Sequence, residues 1–215
     1  MVLKPDTPGQ TPQDRHPRTG TPEQTHRSAH TILAPRTDFL KPSMPYPLSQ
    51  LNSMSQAEFV EAIGPAFEAT PAIAAQVWHQ RPFASVADLH QRMVTMVRSL
   101  SPEDKLALIK AHPDLGARVT MADASVAEQS KAGLTNLSAA EYERFQTLNQ
   151  RYKDTFGFPF ILAVAGHTKV SILENFAQRV NNPVEVEMAT ALGQIEAIAR
   201  LRLDTWIEDD GKTND

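Results

Sequence analysis

The chain has 215 residues, 41% of them hydrophobic, with no cysteine and a formal net charge of −4 at pH 7. This length is enough to bury one hydrophobic core, and the absence of cysteine excludes disulfides, thiolate metal ligands and cysteine nucleophiles. The mildly acidic balance gives no electrostatic footprint for nucleic acid or for a membrane surface, and no apolar run is long enough to span a bilayer. We therefore expect a soluble, cytoplasmic protein that binds neither nucleic acid nor membrane.

The first part of the chain differs in composition from the rest. Residues 1–48 hold more than half of the 16 prolines and few apolar residues. Such a segment cannot bury enough apolar surface to offset the entropy lost on ordering. We predict a disordered, proline-rich tail over residues 1–48, one helical domain over residues 49–210, and a short tail over residues 211–215. The shift in composition also makes Met44 an alternative translation start.

Helix-start signals follow one another from Leu51 onward. Ser55 with Glu58 three residues later is a capping box, and Thr70-Pro71 places proline at the first position of a helix. Apolar residues recur at helical spacing after each signal. The N-caps that we predict are Ser55, Thr70, Ser85, Ser101 and Ser138.

The second half of the chain continues in the same way. Gly133 is expected to end a helix, and the run Ile161–Ala165 fits either a strand or a buried helical turn. Two helices finish the chain, one around Phe176 and a longer one that reaches Arg202. With no internal repeat and no hairpin signal, the predicted fold class is all-α, a single-domain multi-helix bundle.

The most chemically informative stretch joins a histidine to three polar residues. His112 stands before Pro113 at a predicted helix end, and Ser125, Glu128 and Gln129 share one face of the next helix at i, i+3 and i+4. A histidine facing a carboxylate is a plausible acid/base pair. The same residues also fit a helix stop followed by a capping box, which needs no substrate. The pattern alone leaves both interpretations open.

Motifs for cofactors are missing from the sequence. It has no glycine-rich phosphate loop, dinucleotide fingerprint, zinc-binding His-Glu-x-x-His or nucleophile elbow. The isolated histidines His79, His90 and His167 are expected to be surface or capping residues. An enzyme of this sequence would therefore work with side-chain acids, bases and hydrogen bonds, without a metal or organic cofactor.

Seven motifs follow one another between about residues 50 and 207. They are Leu51-Asn52-Ser53-Met54 with Phe59, Ala75-x-x-Trp78-x-x-Arg81-Pro82-Phe83, His112-Pro113-Asp114-Leu115, Ser125-x-x-Glu128-Gln129-x-x-Ala132-Gly133-Leu134, Leu148-Asn149-x-x-Tyr152, Phe156-Gly157-Phe158-Pro159-Phe160 and Arg200-Leu201-Arg202-Leu203. In this order they resemble the OHCU (2-oxo-4-hydroxy-4-carboxy-5-ureidoimidazoline) decarboxylases, which act in the route from urate to allantoin. One departure lies between Leu115 and Ser125, where the loop is shorter than in some members of the family.

The resemblance implies a cofactor-independent decarboxylase that acts as a homodimer on OHCU and releases (S)-allantoin. It assigns the catalytic roles to His112, Glu128 and Arg202. It assigns substrate binding to Pro113, Ser125 and Gln129 and to the backbone of Phe160, Ile161, Leu162, Ala163 and Val164. Without the resemblance, Arg202 could equally be a surface salt-bridge residue of the last helix.

These residues suit the reaction that the resemblance implies. The substrate carboxylate sits next to a ring C=N bond, which can take the electron pair left by CO₂. His112 would then be the general acid/base, with Glu128 fixing its tautomer and favouring its charged form. Arg202 would hold an anionic or carbonyl edge of the substrate through paired donors.

A different class of protein shares part of this pattern. The helix before His112-Pro113-Asp114 resembles the helix and tripeptide turn of J-domain co-chaperones, although only Lys105 and Lys110 supply the expected basic character. The alternative function is therefore a chaperone adaptor. A helical binding protein that kept the fold without the activity is a third interpretation.

Overall fold

The structure, a computed structural model, describes residues 45–116 and 123–210. The described residues do not include the predicted N-terminal tail as far as residue 44, the alternative start at Met44, residues 117–122 of the loop between Leu115 and Ser125, or the predicted C-terminal tail. Within the described residues the protein is built from nine α-helices, which confirms the all-α class. They are α1 (Leu48–Ser53), α2 (Gln56–Ile63), α3 (Pro71–Val77), α4 (Val86–Ser99), α5 (Pro102–Lys110), α6 (Asp123–Lys131), α7 (Ala139–Phe156), α8 (Lys169–Arg179) and α9 (Val184–Trp206).

The two ends of the described chain meet. A short strand, β1 (Tyr46–Pro47), pairs in parallel with β2 (Ile207–Glu208), which directly follows α9. Regular secondary structure in the described residues thus starts at Tyr46, before the predicted boundary at residue 49. None of the helices in the part of the chain that the structure describes is both long and apolar enough to cross a membrane.

The predicted helix starts are confirmed with one difference. Ser55, Ser85, Ser101 and Ser138 each accept a hydrogen bond from the backbone N–H three residues later. Helix α3 begins at Pro71 as predicted, but the Thr70 hydroxyl caps nothing and instead donates to the Glu68 carbonyl at 2.9 Å. The Thr70 hydroxyl therefore stabilises the turn before α3 and not the first turn of the helix. Gly133 ends α6 in the left-handed conformation, with φ 78°, as predicted.

An aromatic cluster forms the centre of the core beneath the site. Tyr152 of α7 contacts Phe160 edge-on at 5.2 Å between ring centroids, and Phe160 stacks on Phe176 of α8. The chain from Phe158 to Val164 is buried but adopts no regular secondary structure. Both predictions for this run, a strand and a helical turn, are wrong. We call residues 160–164 the wall segment.

A buried ion pair stands behind the wall segment. Arg179 of α8 donates from Nε to Glu187 Oε1 of α9 at 2.9 Å, and neither side chain is more than 9% exposed. The Tyr152 hydroxyl donates to the same carboxylate. Burial, and to a smaller extent the hydrogen bond to Glu187, raises the pKa of Tyr152 above its ordinary value. The hydroxyl therefore keeps its proton and remains a donor. Helices α7, α8 and α9 are thereby joined by one polar cluster.

The same cluster fixes the backbone of the wall segment. Arg179 donates from Nη1 to the Ile161 carbonyl at 2.7 Å, and its guanidinium carbon lies 4.4 Å from the Phe160 ring centroid. Gln194 of α9 accepts the N–H of Ala163 at 2.9 Å. Irregular backbone needs such partners when it is buried, because its polar groups have no ladder to join. The wall segment therefore has a defined path without being a strand or a helix.

Replacing Arg179 with alanine tests this account. The change leaves the Glu187 carboxylate buried and unpaired, and loss of one partner of a buried pair costs about 3–5 kcal/mol of unfolding free energy. The matched control is Arg200→Ala, which removes an arginine whose side chain is 39% exposed and pairs with Asp204 four residues away, and it should cost less than about 1 kcal/mol. Urea unfolding followed by circular dichroism measures both, and equal losses would contradict the role given to Arg179.

Candidate active site

One cavity collects nearly all of the residues that the sequence singled out. It lies between the end of α5, helix α6, the wall segment and α9. Its lining consists of His112, Pro113, Leu115, Ser125, Glu128, Gln129, Phe160, Ile161, Leu162, Val164, Ile198 and Arg202. Every predicted site residue except Ala163 is in this set, and Leu115 and Ile198 are additions that the sequence did not indicate.

His112 enters the cavity just past the end of α5, with 8% of its surface exposed. Its Nδ1 lies 3.0 Å from the Leu108 carbonyl oxygen, which can only accept, so Nδ1 carries the hydrogen. The other ring nitrogen, Nε2, is buried and has no hydrogen-bond partner among the described residues. In the neutral ring Nε2 holds a lone pair, so the structure places an unoccupied basic nitrogen at the cavity.

The protonation of His112 follows from its surroundings. Burial lowers the pKa of His112 below its ordinary value, while the hydrogen bond to Leu108 and the charge of Glu68 act in the opposite direction. The expectation that Glu128 fixes the tautomer and favours the charged ring is wrong on both points. The Leu108 carbonyl fixes the tautomer, and the Glu128 carboxylate is bound to Arg202 instead.

Helix α7 holds the segment that carries His112. Lys153 pairs with Asp114 at 2.6 Å, and the Asn149 amide donates to the Leu115 carbonyl at 2.8 Å. Within the tripeptide His112-Pro113-Asp114, the histidine is thus buried and the acidic group pairs with Lys153. The J-domain alternative based on this tripeptide stays a prediction.

Gln129 ties this segment to α6. Its Oε1 accepts the backbone N–H of Gly116 at 2.9 Å, where the chain turns away with φ 72°. A left-handed residue at this turn favours glycine, which has no Cβ to clash. Gln129 therefore reaches the cavity with its side-chain oxygen already held in a fixed direction.

Ser125 is not a helix cap. Helix α6 begins at Asp123, so Ser125 lies inside its first turn and the capping-box interpretation of Ser125 with Glu128 is wrong. The Ser125 hydroxyl donates to Glu68 Oε2 at 3.0 Å and accepts from Arg202 Nη2 at 3.0 Å. The polar face that the sequence predicted on α6 is thus directed at α9 and at the turn before α3.

Arg202 is 3% exposed, and all five of its N–H groups are bonded within the protein. Nε and Nη2 donate to the two oxygens of Glu128 at 2.8 and 3.0 Å, and Nη2 also donates to Ser125. Nη1 donates to Glu68 at 3.1 Å and to the Pro65 carbonyl at 3.0 Å. The alternative of a surface salt bridge for Arg202 is therefore wrong.

The charge of Arg202 is kept by these partners. Burial by itself would lower the pKa of Arg202, but the hydrogen bonds and charges of Glu128 and Glu68 outweigh burial and raise it. Arg202 is a permanent cation between two carboxylates. Across the cavity from this group stands the neutral imidazole of His112.

Glu68 is the residue that the sequence did not indicate. It lies in the turn between the 3-10 helix Gly64–Ala66 and α3, and it is only 8% exposed. An acidic residue between Phe67 and a helix-start signal is most simply interpreted as solvated, because carboxylates are rarely buried unless paired. Its partners, Ser125 and Arg202, are 57 and 134 residues away, so no local pattern marks it.

Other arginines and histidines of the chain lie outside the cavity. Arg179 is behind the wall segment, and Arg200 pairs with Asp204 away from the cavity. His79 is exposed, and neither His90 nor His167 lines the cavity. His90 contacts the Glu196 carbonyl and His167 contacts the Ser171 hydroxyl.

Comparison with known proteins gives a consistent answer. The family model for the OHCU decarboxylases matches residues 52–204. The 2-oxo-4-hydroxy-4-carboxy-5-ureidoimidazoline decarboxylase of Halalkalicoccus jeotgali is 41% identical over 157 residues, which is 73% of this chain and 89% of the relative. The enzyme of the same name from Mus musculus is 38% identical over 72% of this chain and 89% of its own length.

A solved structure agrees with the sequence matches. The crystal structure of an (S)-allantoin synthase superimposes with a TM-score of 0.62 and is 31% identical, over 76% of this chain and 54% of that one. The fold, the ordered motifs and the family match all cover the helical part of the chain. The chain therefore belongs to the OHCU decarboxylase family.

Proposed function

We propose that this protein catalyses the decarboxylation of OHCU to (S)-allantoin in urate degradation. Its relatives carry the name of this activity, and a solved structure similar to it is an (S)-allantoin synthase. The observation that carries the proposal is the bare, buried Nε2 of His112 in a cavity that also holds the Arg202 guanidinium. A cation in this site can hold the substrate carboxylate in position, and a base beside it can move the protons that must be transferred once CO₂ has left.

The substrate supplies its own electron sink. The name 2-oxo-4-hydroxy-4-carboxy-5-ureidoimidazoline puts hydroxyl and carboxyl on C4, next to the ring C5=N bond. When the bond to the carboxylate breaks, its electron pair forms C4=C5 and the imine pair moves to the ring nitrogen, which takes a proton. C5 then receives a proton while the C4 hydroxyl loses its own and becomes a carbonyl. One proton from solvent is consumed for each CO₂ released.

We assign the movement of the proton between substrate atoms to His112. The neutral ring, with hydrogen on Nδ1, can take the hydroxyl proton at Nε2 and return it to C5 as imidazolium. Since Nδ1 is held by Leu108, the ring presents Nε2 from one direction only. Protonation of C5 from one face gives one enantiomer of allantoin.

Arg202 is proposed to bind the substrate carboxylate by exchanging partners. All of its N–H groups are bonded in the structure, so an incoming anion must replace one acceptor. Glu128 is the acceptor that can leave, because its side chain is 31% exposed and lines the cavity, while that of Glu68 is 10% exposed. The paired Nε and Nη2 edge would then hold the substrate, and Glu128 would be free to accept from ureido N–H groups.

Ser125, Gln129 and the wall segment complete the proposed binding site. Phe160, Ile161, Leu162 and Val164 line the cavity, and Pro113 closes the side near His112. The N–H of Ala163 is already bound by Gln194, which supports a structural role for that peptide. Recognition of the ring and the ureido group is therefore assigned to the other residues of the wall segment.

We expect His112→Asn to lower kcat/KM about 10²–10⁴-fold, the usual contribution of a general acid/base. Because burial lowers the pKa of His112, the neutral ring is the resting form at pH above about 6.5. The wild-type kcat/KM should therefore be level above that pH and fall with decreasing pH only below it. Polarimetry with OHCU freshly made from urate by urate oxidase and hydroxyisourate hydrolase measures both properties.

The control for this experiment is His79→Asn, which changes an exposed histidine outside the cavity. It should keep the wild-type rate and pH profile. Near-normal turnover by His112→Asn, or a wild-type rate that rises as the pH falls through 6, would refute the role of His112.

Arg202→Lys tests the binding of the carboxylate. Lysine keeps the charge but loses the planar pair of donors, and a charge-assisted hydrogen bond is worth about 1.5–3 kcal/mol. We expect KM for OHCU to rise by about 10-fold or more. Arg200→Lys, on the exposed side of the same helix, is the matched control. An unchanged KM for Arg202→Lys, with the melting temperature preserved, would show that the substrate does not use this edge.

We also propose that the protein is a cytoplasmic homodimer. The resemblance to the family supports the dimer, as do the apolar side chains of Val126 on α6 and Leu201 on α9, which are more than 40% exposed. The composition of the chain supports the cytoplasmic location. Light scattering of the purified chain should give about twice the protomer mass of 23.8 kDa. A mass equal to one protomer at micromolar concentration would rule the dimer out, and cell fractionation tests the location.

A further inference from the structure

We propose that Glu68 is a positioning residue for this reaction: its carboxylate fixes Arg202 and Ser125 from the side away from the cavity and maintains negative charge near His112. The proposal rests on the proposed function. Glu68 does not line the cavity, so it acts through the groups that do. None of the sequence motifs that mark the family includes it.

The geometry of Glu68 assigns it this role. One oxygen, Oε2, accepts from both Ser125 Oγ at 3.0 Å and Arg202 Nη1 at 3.1 Å. A single buried oxygen therefore bridges α6 and α9, in addition to the direct hydrogen bonds from Arg202 to Ser125 and Glu128. Removing a buried acceptor shared by two donors leaves both of them unsatisfied, which is more costly than removing an exposed partner.

The backbone around Glu68 is arranged to deliver this carboxylate. The Thr70 N–H donates to the Phe67 carbonyl at 3.2 Å, and the Thr70 hydroxyl donates to the Glu68 carbonyl at 2.9 Å. Between them Ala69 adopts a left-handed conformation with φ 49°, the only non-glycine residue with positive φ in the described ranges 45–116 and 123–210. A left-handed alanine costs about 1–2 kcal/mol, and such strain is retained where the surrounding contacts enforce it.

Glu68 and Glu128 divide the guanidinium between them. Glu128 bonds the Nε and Nη2 edge from the cavity side, and Glu68 bonds Nη1 from the interior, where its side chain is 10% exposed. When the substrate carboxylate takes the place of Glu128, Glu68 remains as the acceptor that keeps Arg202 from turning with its new partner. The proposed replacement of Glu128 by the substrate carboxylate therefore needs Glu68 as the carboxylate that stays bound to Arg202.

His112 responds to the same charge. Glu68 from the turn before α3 and Arg202 from α9 act on the imidazole with opposite signs, and Glu128 of α6 lines the same cavity. Asp114, from the histidine's own segment, is neutralised by Lys153 of α7. Loss of the Glu68 charge leaves the positive potential of Arg202 less compensated, which disfavours the imidazolium form of His112.

The test compares Glu68→Gln with the control Glu61→Gln, which removes the same charge from an exposed position on α2. Glutamine keeps the shape of the side chain but removes the charge. We expect Glu68→Gln to lower kcat/KM about 10- to 100-fold through misplacement of the site groups. The His112 pKa, measured by an NMR titration of the imidazole, should fall below the wild-type value, and the acid limb of kcat/KM should move to lower pH with it. Glu61→Gln should change none of these quantities.

Glu68→Asp serves as the conservative variant, because it keeps the charge and shortens the reach. Its His112 pKa should lie nearer to the wild-type value than that of Glu68→Gln, which a purely structural role for Glu68 would not produce. An imidazole titration that is identical in the wild type, Glu68→Gln and Glu68→Asp overturns the proposal, as does wild-type kcat/KM in Glu68→Gln. Should Glu68→Gln fail to fold, kcat/KM of Glu68→Asp decides: the shorter side chain cannot reach Ser125 and Arg202 together, so kcat/KM should fall, and a wild-type value overturns the proposal.

The two proposals fail in different ways. If the wild-type protein does not turn over OHCU, the proposed function is wrong, while the NMR titration still measures whether Glu68 sets the protonation of His112. If the wild type is active and the titration is insensitive to residue 68, only the role of Glu68 is refuted.

Discussion

The burial of one guanidinium is the constraint on which the site depends. Removing Arg202 from water is strongly unfavourable unless every donor finds an acceptor, and the protein supplies two carboxylates, a hydroxyl and a carbonyl for this purpose. These acceptors come from the turn before α3, from α6 and from the 3-10 helix Gly64–Ala66. The site therefore exists only when distant parts of the chain have assembled.

A second consequence concerns the neighbouring base. A cation without protein acceptors next to His112 would favour the neutral imidazole. A substrate carboxylate would then be the strongest partner available to that cation. With Glu68 and Glu128 in place, the positive charge is balanced, and burial becomes the main cause of the lowered pKa of His112. Burial thus favours the neutral form of His112. Arg202 can bind only an anion that competes with Glu128 for its N–H groups.

Sequence reasoning predicted the helices and most of the cavity, and its failures have physical causes. The caps at Ser55 and Ser138 depend on residues three positions away, so local patterns reveal them. The partner of Glu128 and the burial of Glu68 depend on contacts across 57 to 134 residues, which no single-sequence pattern encodes. The path of the wall segment was missed for the same reason, since α8 and α9 determine it.

The wall segment has a consequence for substrate choice. Its main chain is anchored by Arg179 and Gln194, neither of which lines the cavity. The hydrogen bonds that hold this backbone therefore do not depend on the shape of the Ile161 and Leu162 side chains. Separate groups for support and for contact would let related chains vary the apolar lining of the pocket while His112 and Arg202 stay where they are.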